Sequence, residues 1–364
     1  MKTNAMVTRE IGRFDLEEVS LREPGPEEVL VRIRAVGLCH TDISVCDGCI
    51  PGPMPMVLGH EGAGVIEQVG SAVRDLEPGD HVVLTYSTCG RCAACLRGKP
   101  YACEQMEVIN FGGCMPDGTK RIEKDGEEIS TFFNQSSFSG YSVSHQSGVV
   151  KVPKDIPFEI LAPLGCGIST GAGTIMNKLA PEPGSSVAVF GCGAVGMSAV
   201  MAAGVMGCTT IIAVDIDDGR LAMAKELGAT HIINSKHEDP KSAISAITGK
   251  GAGHTIETSG IPEVLLQAID CTNKLGTTAV IGAPRVGTTV EIDHFGLITE
   301  KSISGVTMGS SVPKVFIPAL IRLYKAGLFP IDKLIKKYRF TEIDRAVADA
   351  KSGVAIKPVM LMSE

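Results

Sequence analysis

The sequence predicts an α/β protein of two domains, a β-rich lobe followed by a doubly wound parallel sheet. Two changes of texture and one turn carry that expectation. Up to about residue 157, short strands are broken by Gly and Pro. Beyond it, apolar runs of four to seven residues alternate with helical periodicity, the pattern of βαβ units. After the first of these runs stands the turn Gly191-Cys192-Gly193-Ala194-Val195-Gly196.

In the first half the predicted strands include 28–36, 64–69 and 81–85. In the second half they are 186–190, 210–214, 231–234, 254–257 and 277–281. Between them the spacing predicts helices over 194–206 and over 218–227, the latter closed by Gly228 in a left-handed cap. Another helix starts at Pro262, where a missing N–H costs nothing, and a long amphipathic one covers 313–326 before Gly327. A β-type return over 328–364 is expected to rejoin the first domain. The expected domains are residues 1–167 with 309–364, and residues 168–308. The uncharged stretch 185–214 exceeds the roughly 20 residues of a bilayer span. It is cut by Gly191, Gly193, Gly196, Gly204 and Gly207, and reads as strand, turn, helix, strand.

Composition narrows the function. The 364 residues exceed the roughly 100 to 200 of a single domain, and 44% hydrophobic residues supply a large core. With 34 Lys and Arg against 41 Asp and Glu, the net charge of −7 argues against a nucleic-acid binder held by phosphate contacts. Twelve cysteines make up about 3% of the chain, too few for a disulfide scaffold, so metal sites and buried thiols are the better readings. Residues 1–10 hold no apolar segment behind a basic start. A reducing cytoplasm is the expected compartment, with neither membrane nor nucleic acid as partner.

The glycine turn has the strand before it and the helix after it that a dinucleotide (Rossmann) fingerprint requires. Gly191, Gly193 and Gly196 would serve the tight turn, the backbone approach to a pyrophosphate and helix packing. Nineteen residues after Gly196 stands Asp215, near the offset of about 20 at which a carboxylate meets the adenine ribose. That carboxylate would repel a 2′-phosphate, so NAD is expected over NADP. The competing reading is a structural glycine turn with no ligand.

Two cysteine clusters have metal-binding character. Cys89, Cys92, Cys95 and Cys103 form C-x2-C-x2-C-x7-C, a spacing that closes four thiolates tetrahedrally around one structural zinc. An iron–sulfur cluster is the competing occupant. A closed site would stiffen a lobe with little helix of its own. The second cluster is dispersed: Cys39 and His40 to Asp42, His60 and Glu61, and Cys166. Cys, His and Cys with one open position suit a catalytic zinc, although on spacing alone a core Cys and a His near a glycine are more often packed residues than ligands.

At these residues the sequence resembles the zinc-containing alcohol dehydrogenases of the medium-chain dehydrogenase/reductase family. Gly59-His60-Glu61-Gly62 is similar to that family's zinc signature, the four-cysteine segment to its structural site, and 165–171 to its third-ligand turn. Phe132-Phe133-Asn134-Gln135-Ser136-Ser137-Phe138, the segment 163–173 and the tail 353–358 resemble bacterial benzyl (aryl) alcohol dehydrogenases most closely. The resemblance implies a GroES-like catalytic domain joined to a Rossmann coenzyme domain, two zinc ions per subunit, and NAD. It implies Cys39, His60 and Cys166 as ligands of the catalytic zinc, with Glu61 as an alternate ligand and Asp42 orienting the ligand imidazole. Thr41 would take the proton of the alcohol. Thr170 and Val195 would touch the nicotinamide, and Ile281 would offer it a carbonyl. His40 and Lys357 would face the pyrophosphate, and Arg220 joins the coenzyme contacts. Where animal members carry a histidine that relays the proton to solvent, this chain has Ser44, leaving a water chain or His40.

The function implied is reversible oxidation of a primary, aromatic or allylic alcohol to its aldehyde, by hydride transfer from a zinc-bound alkoxide to NAD. A cleft that closes around metal and coenzyme would exclude water. Rival readings are a polyol dehydrogenase, which commonly uses glutamate where this chain has Cys166, and a glutathione-adduct (formaldehyde) dehydrogenase, which would need a basic pocket entrance. A non-catalytic nucleotide- and zinc-binding relative is the third. Thr85 and Tyr86 are expected in the substrate pocket. Cys46, Cys49, Cys114, Cys208 and Cys271 read as incidental or buried thiols. Cys192, at the phosphate turn, is the one whose oxidation would hinder coenzyme binding. A homodimer or homotetramer, paired near 306–309, completes the expectation.

Overall fold

The structure, a computed structural model, describes residues 1–362. The chain divides into two units, Met1–Gly167 with Val312–Leu320 and Asp332–Glu364, and Ile168–Ser311 with Ile321–Ile331.

The first unit is built on two sheets. In the larger one the order runs Val149–Lys151, His81–Leu84, Gly62–Val69, Glu28–Gly37, Lys357–Leu361, Ile335–Arg339, with Tyr141–His145 also paired to Glu28–Gly37. The central strand, EVLVRIRAVG, is buried along nearly its whole length, which explains its almost continuous apolar run. Its register decides which residues meet at its end. Val36 lies opposite Gly62 and Gly37 opposite Val359, so Cys39, His60 and Lys357 emerge at the same end of the sheet. The smaller sheet orders Met56–Val57, Lys2–Thr8, Asp15–Leu21, Ile122–Lys124 and Glu127–Ile129.

The return expected as purely β contains a helix, Ile343–Ser352, capped by Gly353 at φ 83°. The reason is topological. Ile335–Arg339 and Lys357–Leu361 pair in parallel, and parallel neighbours need a crossover that a hairpin cannot supply. Ile343 and Ala346 supply the buried face of that crossover.

The second unit carries a parallel sheet whose strands are, in chain order, Ser186–Phe190, Thr210–Asp215, His231–Asn234, Ala252–Glu257, Thr272–Val280 and Ser302–Gly305. Their spatial order is third, second, first, fourth, fifth, sixth, the doubly wound arrangement with its switch point beside the first strand. Ala188, Phe190, Ile212, Val214 and Ile233 form its core with Ile244 and Ala268 from the covering helices. One of those helices, Pro240–Thr248, is absent from the sequence reading although its signals are present: Asp239 accepts from Ser242 N at 2.9 Å and Pro240 opens the first turn. Residues 309–311 and 321–331 group with this unit, whereas the sequence places them in the first. Gly309, at φ 63°, lies against Gly173, and its carbonyl accepts from Asn177 Nδ2 at 3.2 Å. The stretch 185–214 is strand, turn, helix and strand, and among the described residues no helix is long and apolar enough to cross a membrane.

Candidate active site

Cys39 stands in extended backbone immediately before the helix His40–Cys46. Asp42, in the first turn of that helix, uses both carboxylate oxygens. Its Oδ2 accepts from Cys39 N at 3.0 Å, and its Oδ1 accepts from Gly59 N at 3.0 Å and meets His60 Nδ1 at 2.8 Å. One buried carboxylate therefore closes the helix start and sets the imidazole. With Nδ1 donating to Asp42, His60 Nε2 is left bare, and this buried atom has no hydrogen-bond partner.

That nitrogen belongs to a convergent set. The ligand atoms of Cys39, His60, Glu61 and Cys166 all lie within 4.8 Å of one another. Two soft thiols, an imidazole with its free nitrogen inward and a carboxylate make a donor set suited to zinc. The Thr41 hydroxyl lies 3.8 Å from Cys39 Sγ. Glu61 Oε1 accepts from Gly167 N at 3.0 Å, while its Oε2 forms an ion pair with Lys357 Nζ at 2.5 Å. Lys357 Nζ also donates to Leu38 O at 3.0 Å. Lys357, read as facing a pyrophosphate, is 2% exposed and committed to Glu61 and the chain beside Cys39.

The electrostatics show how strongly these groups act on one another. The hydrogen bond from Cys166, with His60 and Lys357 nearby, holds the Cys39 thiol well below its usual range. The same bond, and then burial, pushes Cys166 well above it. Burial opposes charge on His60, yet Asp42 and Cys39 leave its basicity well above normal. Burial raises Glu61 against the pull of Lys357. A divalent cation would displace the protons these groups exchange.

The second cluster is geometrically plain. Zinc–sulfur bonds of about 2.3 Å give a tetrahedron with edges of about 3.8 Å. Cys103 and Cys89 Sγ are 3.5 Å apart, Cys92 and Cys103 Sγ 4.0 Å. Backbone N–H groups of Cys92, Glu104 and Gln105 donate to the sulfurs of Cys89, Cys92 and Cys103 at 3.4 to 3.5 Å, as thiolates require. Every cysteine among the described residues is a free thiol.

At the glycine turn, Gly191 adopts φ 91°. A Cβ on Gly196 would sit 1.9 Å from Gly191 O, whereas one on Gly193 would meet nothing of the chain itself. The space at Gly193 is therefore open, leaving room for a pyrophosphate to approach the backbone at the start of the helix. Asp215, 7% exposed, accepts from Cys192 N at 2.6 Å through Oδ2 and from Ile216 N and Asp217 N at 2.8 and 3.1 Å through Oδ1. Arg220 Nη1 lies 4.0 Å from it. Thr170 lies on the helix Gly167–Gly173, and its neighbour Gly171 packs so closely on Val195 that a Cβ there would collide with Val195 O. Ile281 N donates to Glu257 O at 3.0 Å at the end of its strand.

Other readings change. Thr85 and Tyr86 are 2% and 1% exposed, and the Thr85 hydroxyl donates to Gly165 O at 2.6 Å, a structural commitment. Cys192 is fully buried, and burial with Asp215 nearby raises its thiol far above the reactive range, so it offers no oxidation switch. Ser44 is buried and His40 is exposed. Sequence reasoning missed the aromatic packing at His60: Phe133 stacks on it with centroids 4.7 Å apart and Phe132 meets it edge-on at 5.4 Å. The paired aromatics are visible in the string; their neighbour, some 70 residues away, is not.

Comparison with known proteins agrees with this geometry. Residues 25–154 match the family model of the alcohol dehydrogenase GroES-like domain, and residues 194–326 that of zinc-binding dehydrogenase. A geraniol dehydrogenase from Castellaniella defragrans is 42% identical over 99% of this chain and 98% of its own. Two crystal structures superpose with TM-score 0.97 over the whole of both chains: an alcohol dehydrogenase zinc-binding domain protein from Burkholderia ambifaria, at 49% identity, and benzyl alcohol dehydrogenase from Acinetobacter calcoaceticus, at 46%. With both domains matched, the thiolate tetrahedron in place and a nicotinamide-type glycine turn, the chain belongs to the zinc-dependent alcohol dehydrogenases of the medium-chain dehydrogenase/reductase family.

Proposed function

We propose that this enzyme oxidises primary aromatic or allylic alcohols to aldehydes, reversibly, with NAD as acceptor, at the site formed by Cys39, His60 and Cys166. The observation that carries it is the convergence of those three side chains with Glu61 around one buried, unpartnered imidazole nitrogen. When bound, zinc supplies Lewis acidity that makes an alcohol proton easy to lose, and the nicotinamide takes the hydride.

The chain's own residues do the rest. Asp42 keeps His60 in the tautomer that presents Nε2. Thr41, whose hydroxyl lies beside Cys39, receives the substrate proton. Phe132 and Phe133 pack against the ring of His60 and keep its surroundings apolar. The names of the relatives, a geraniol and a benzyl alcohol dehydrogenase, favour an aromatic or allylic alcohol over a polyol.

Asp215 supports the choice of NAD, since its buried carboxylate would meet a 2′-phosphate as a like charge. Free thiols throughout support a reducing cytoplasm. Ser302–Gly305 is the last strand of the parallel sheet, and its outer edge supports pairing of two copies there, as a dimer or within a tetramer.

The test is NAD reduction followed across benzyl alcohol, geraniol, short aliphatic alcohols, a polyol and S-hydroxymethylglutathione. The benzylic and allylic alcohols should give the highest kcat/KM. A polyol or the glutathione adduct leading the panel overturns the substrate assignment, and equal kcat/KM with NADP overturns the role of Asp215. Light scattering on the purified enzyme settles the copy number, and a monomer would refute the paired edge.

A further inference from the structure

Gln135 supplies no ligand atom, yet its side chain binds the backbone that carries one and reaches toward another. Its Oε1 accepts from Gly62 N at 3.2 Å, and its Nε2 donates to His60 O at 3.0 Å and to Thr85 O at 3.2 Å. Both amide hydrogens are used, and the side chain is buried. Thr85 extends the path, because its hydroxyl donates to Gly165 O, the carbonyl next to Cys166. Two hydrogen-bonded links, one at the carbonyl of Thr85 and one at its hydroxyl, thus connect the backbone of His60 through Gln135 and Thr85 to the carbonyl preceding Cys166.

The segment presenting Gln135 is itself held against its preferences. Phe133, Asn134 and Ser136 adopt φ of 53°, 49° and 49°, and none is glycine. Asn134 Nδ2 donates to Ile109 O and Cys114 O, Phe133 N to Asn110 O, and Phe132 N to Ser136 Oγ. Left-handed backbone at three residues of four persists only where its surroundings over-determine it, and here the result is one buried amide placed between two metal-ligand segments.

We propose that Gln135 is a positioning residue for the catalytic metal, fixing the backbone of His60 directly and that of Cys166 through Thr85. The inference rests on the reading that Cys39, His60 and Cys166 hold the catalytic zinc. A side chain of similar size without hydrogen-bonding groups leaves two buried carbonyls and an N–H unpaired at the ligands, so those backbones relax away from the metal.

The test is zinc release from the purified enzyme to excess chelating dye. The wild type should release two zinc ions in separable phases, with the catalytic phase identified as the one missing in Cys166→Ser. In Gln135→Met that phase should be about 10- to 100-fold faster while the four-thiolate phase keeps its wild-type rate. Thr85→Val should shift the same phase in the same direction, and the double variant should fall short of the product of the two effects, because both act on one path. With cobalt in the catalytic site, the visible bands of Gln135→Met should shift. A catalytic phase within twofold of wild type, or both phases accelerated alike, overturns the inference; should Gln135→Met fail to fold, Thr85→Val decides by the same criteria. A wild type lacking the phase that Cys166→Ser removes overturns the metal assignment itself, and this inference with it.

Discussion

Asp42 Oδ1 lies 2.8 Å from His60 Nδ1, and neither side chain has any exposed surface. Because the other oxygen of Asp42 holds Cys39 N, a single carboxylate governs two of the three proposed ligands. Asp42→Asn keeps the shape but cannot accept both sets of N–H donors. Catalytic-site zinc affinity should fall about 10- to 100-fold, measured by competition with a chromophoric chelator, while the zinc of the four-cysteine lobe stays bound.

The buried Glu61–Lys357 pair makes a stability prediction. Lys357→Met strands a carboxylate in the interior and should destabilise the fold by about 3 to 5 kcal/mol in urea titrations. Adding Glu61→Gln should recover most of that loss. Since Lys357 Nζ is bound to Glu61 and Leu38 O, the coenzyme Kd should move less than the stability does. A large rise in Kd with unchanged stability would place Lys357 on the pyrophosphate after all.

Gly193 and Gly196 separate ligand clearance from packing. At Gly193 (φ −79°) a methyl group is free of the chain, so Gly193→Ala should leave unfolding unchanged within about 0.5 kcal/mol. Coenzyme binding, read by fluorescence titration, should weaken at least tenfold. Gly196→Ala drives its Cβ into Gly191 O and should cost roughly 1 to 3 kcal/mol of stability.

Acid should loosen the smaller sheet through Glu17. Hydrogen bonds from Arg9, and after them Lys124, lower its carboxyl from 4.5 to about 2. The pKa is depressed in the folded state, so the stabilisation is complete above 4.5 and disappears as pH falls toward 2. Urea midpoints of wild type and Glu17→Gln should differ at pH 6 and converge near pH 2. A constant gap across that window would contradict the assignment.

How much is legible in the string depends on the range of the interactions. The strands Ser186–Phe190 and His231–Asn234 fall where the apolar runs place them, because each run is a local record of burial in a parallel sheet. The four thiolates are close in sequence and so declare themselves. Helix Ile343–Ser352 is obscured because the mean character of the segment reads as β, while its single buried face rests on Ile343 and Ala346. Gln135 and Lys357 are beyond reach for a different reason. Their partners lie 50 to 75 residues away in one case and 319 in the other, and no local pattern encodes a hydrogen bond closed by the whole sheet.

The central claim is that Cys39, His60 and Cys166 hold a metal separate from the one in the four-cysteine lobe. Elemental analysis of wild type and Cys166→Ala, each checked for bound NAD, tests it most directly. The account predicts two zinc ions per wild-type chain, and one in the variant, which keeps coenzyme affinity and loses turnover. One zinc per active wild-type chain, or a variant that still oxidises alcohol, would contradict it.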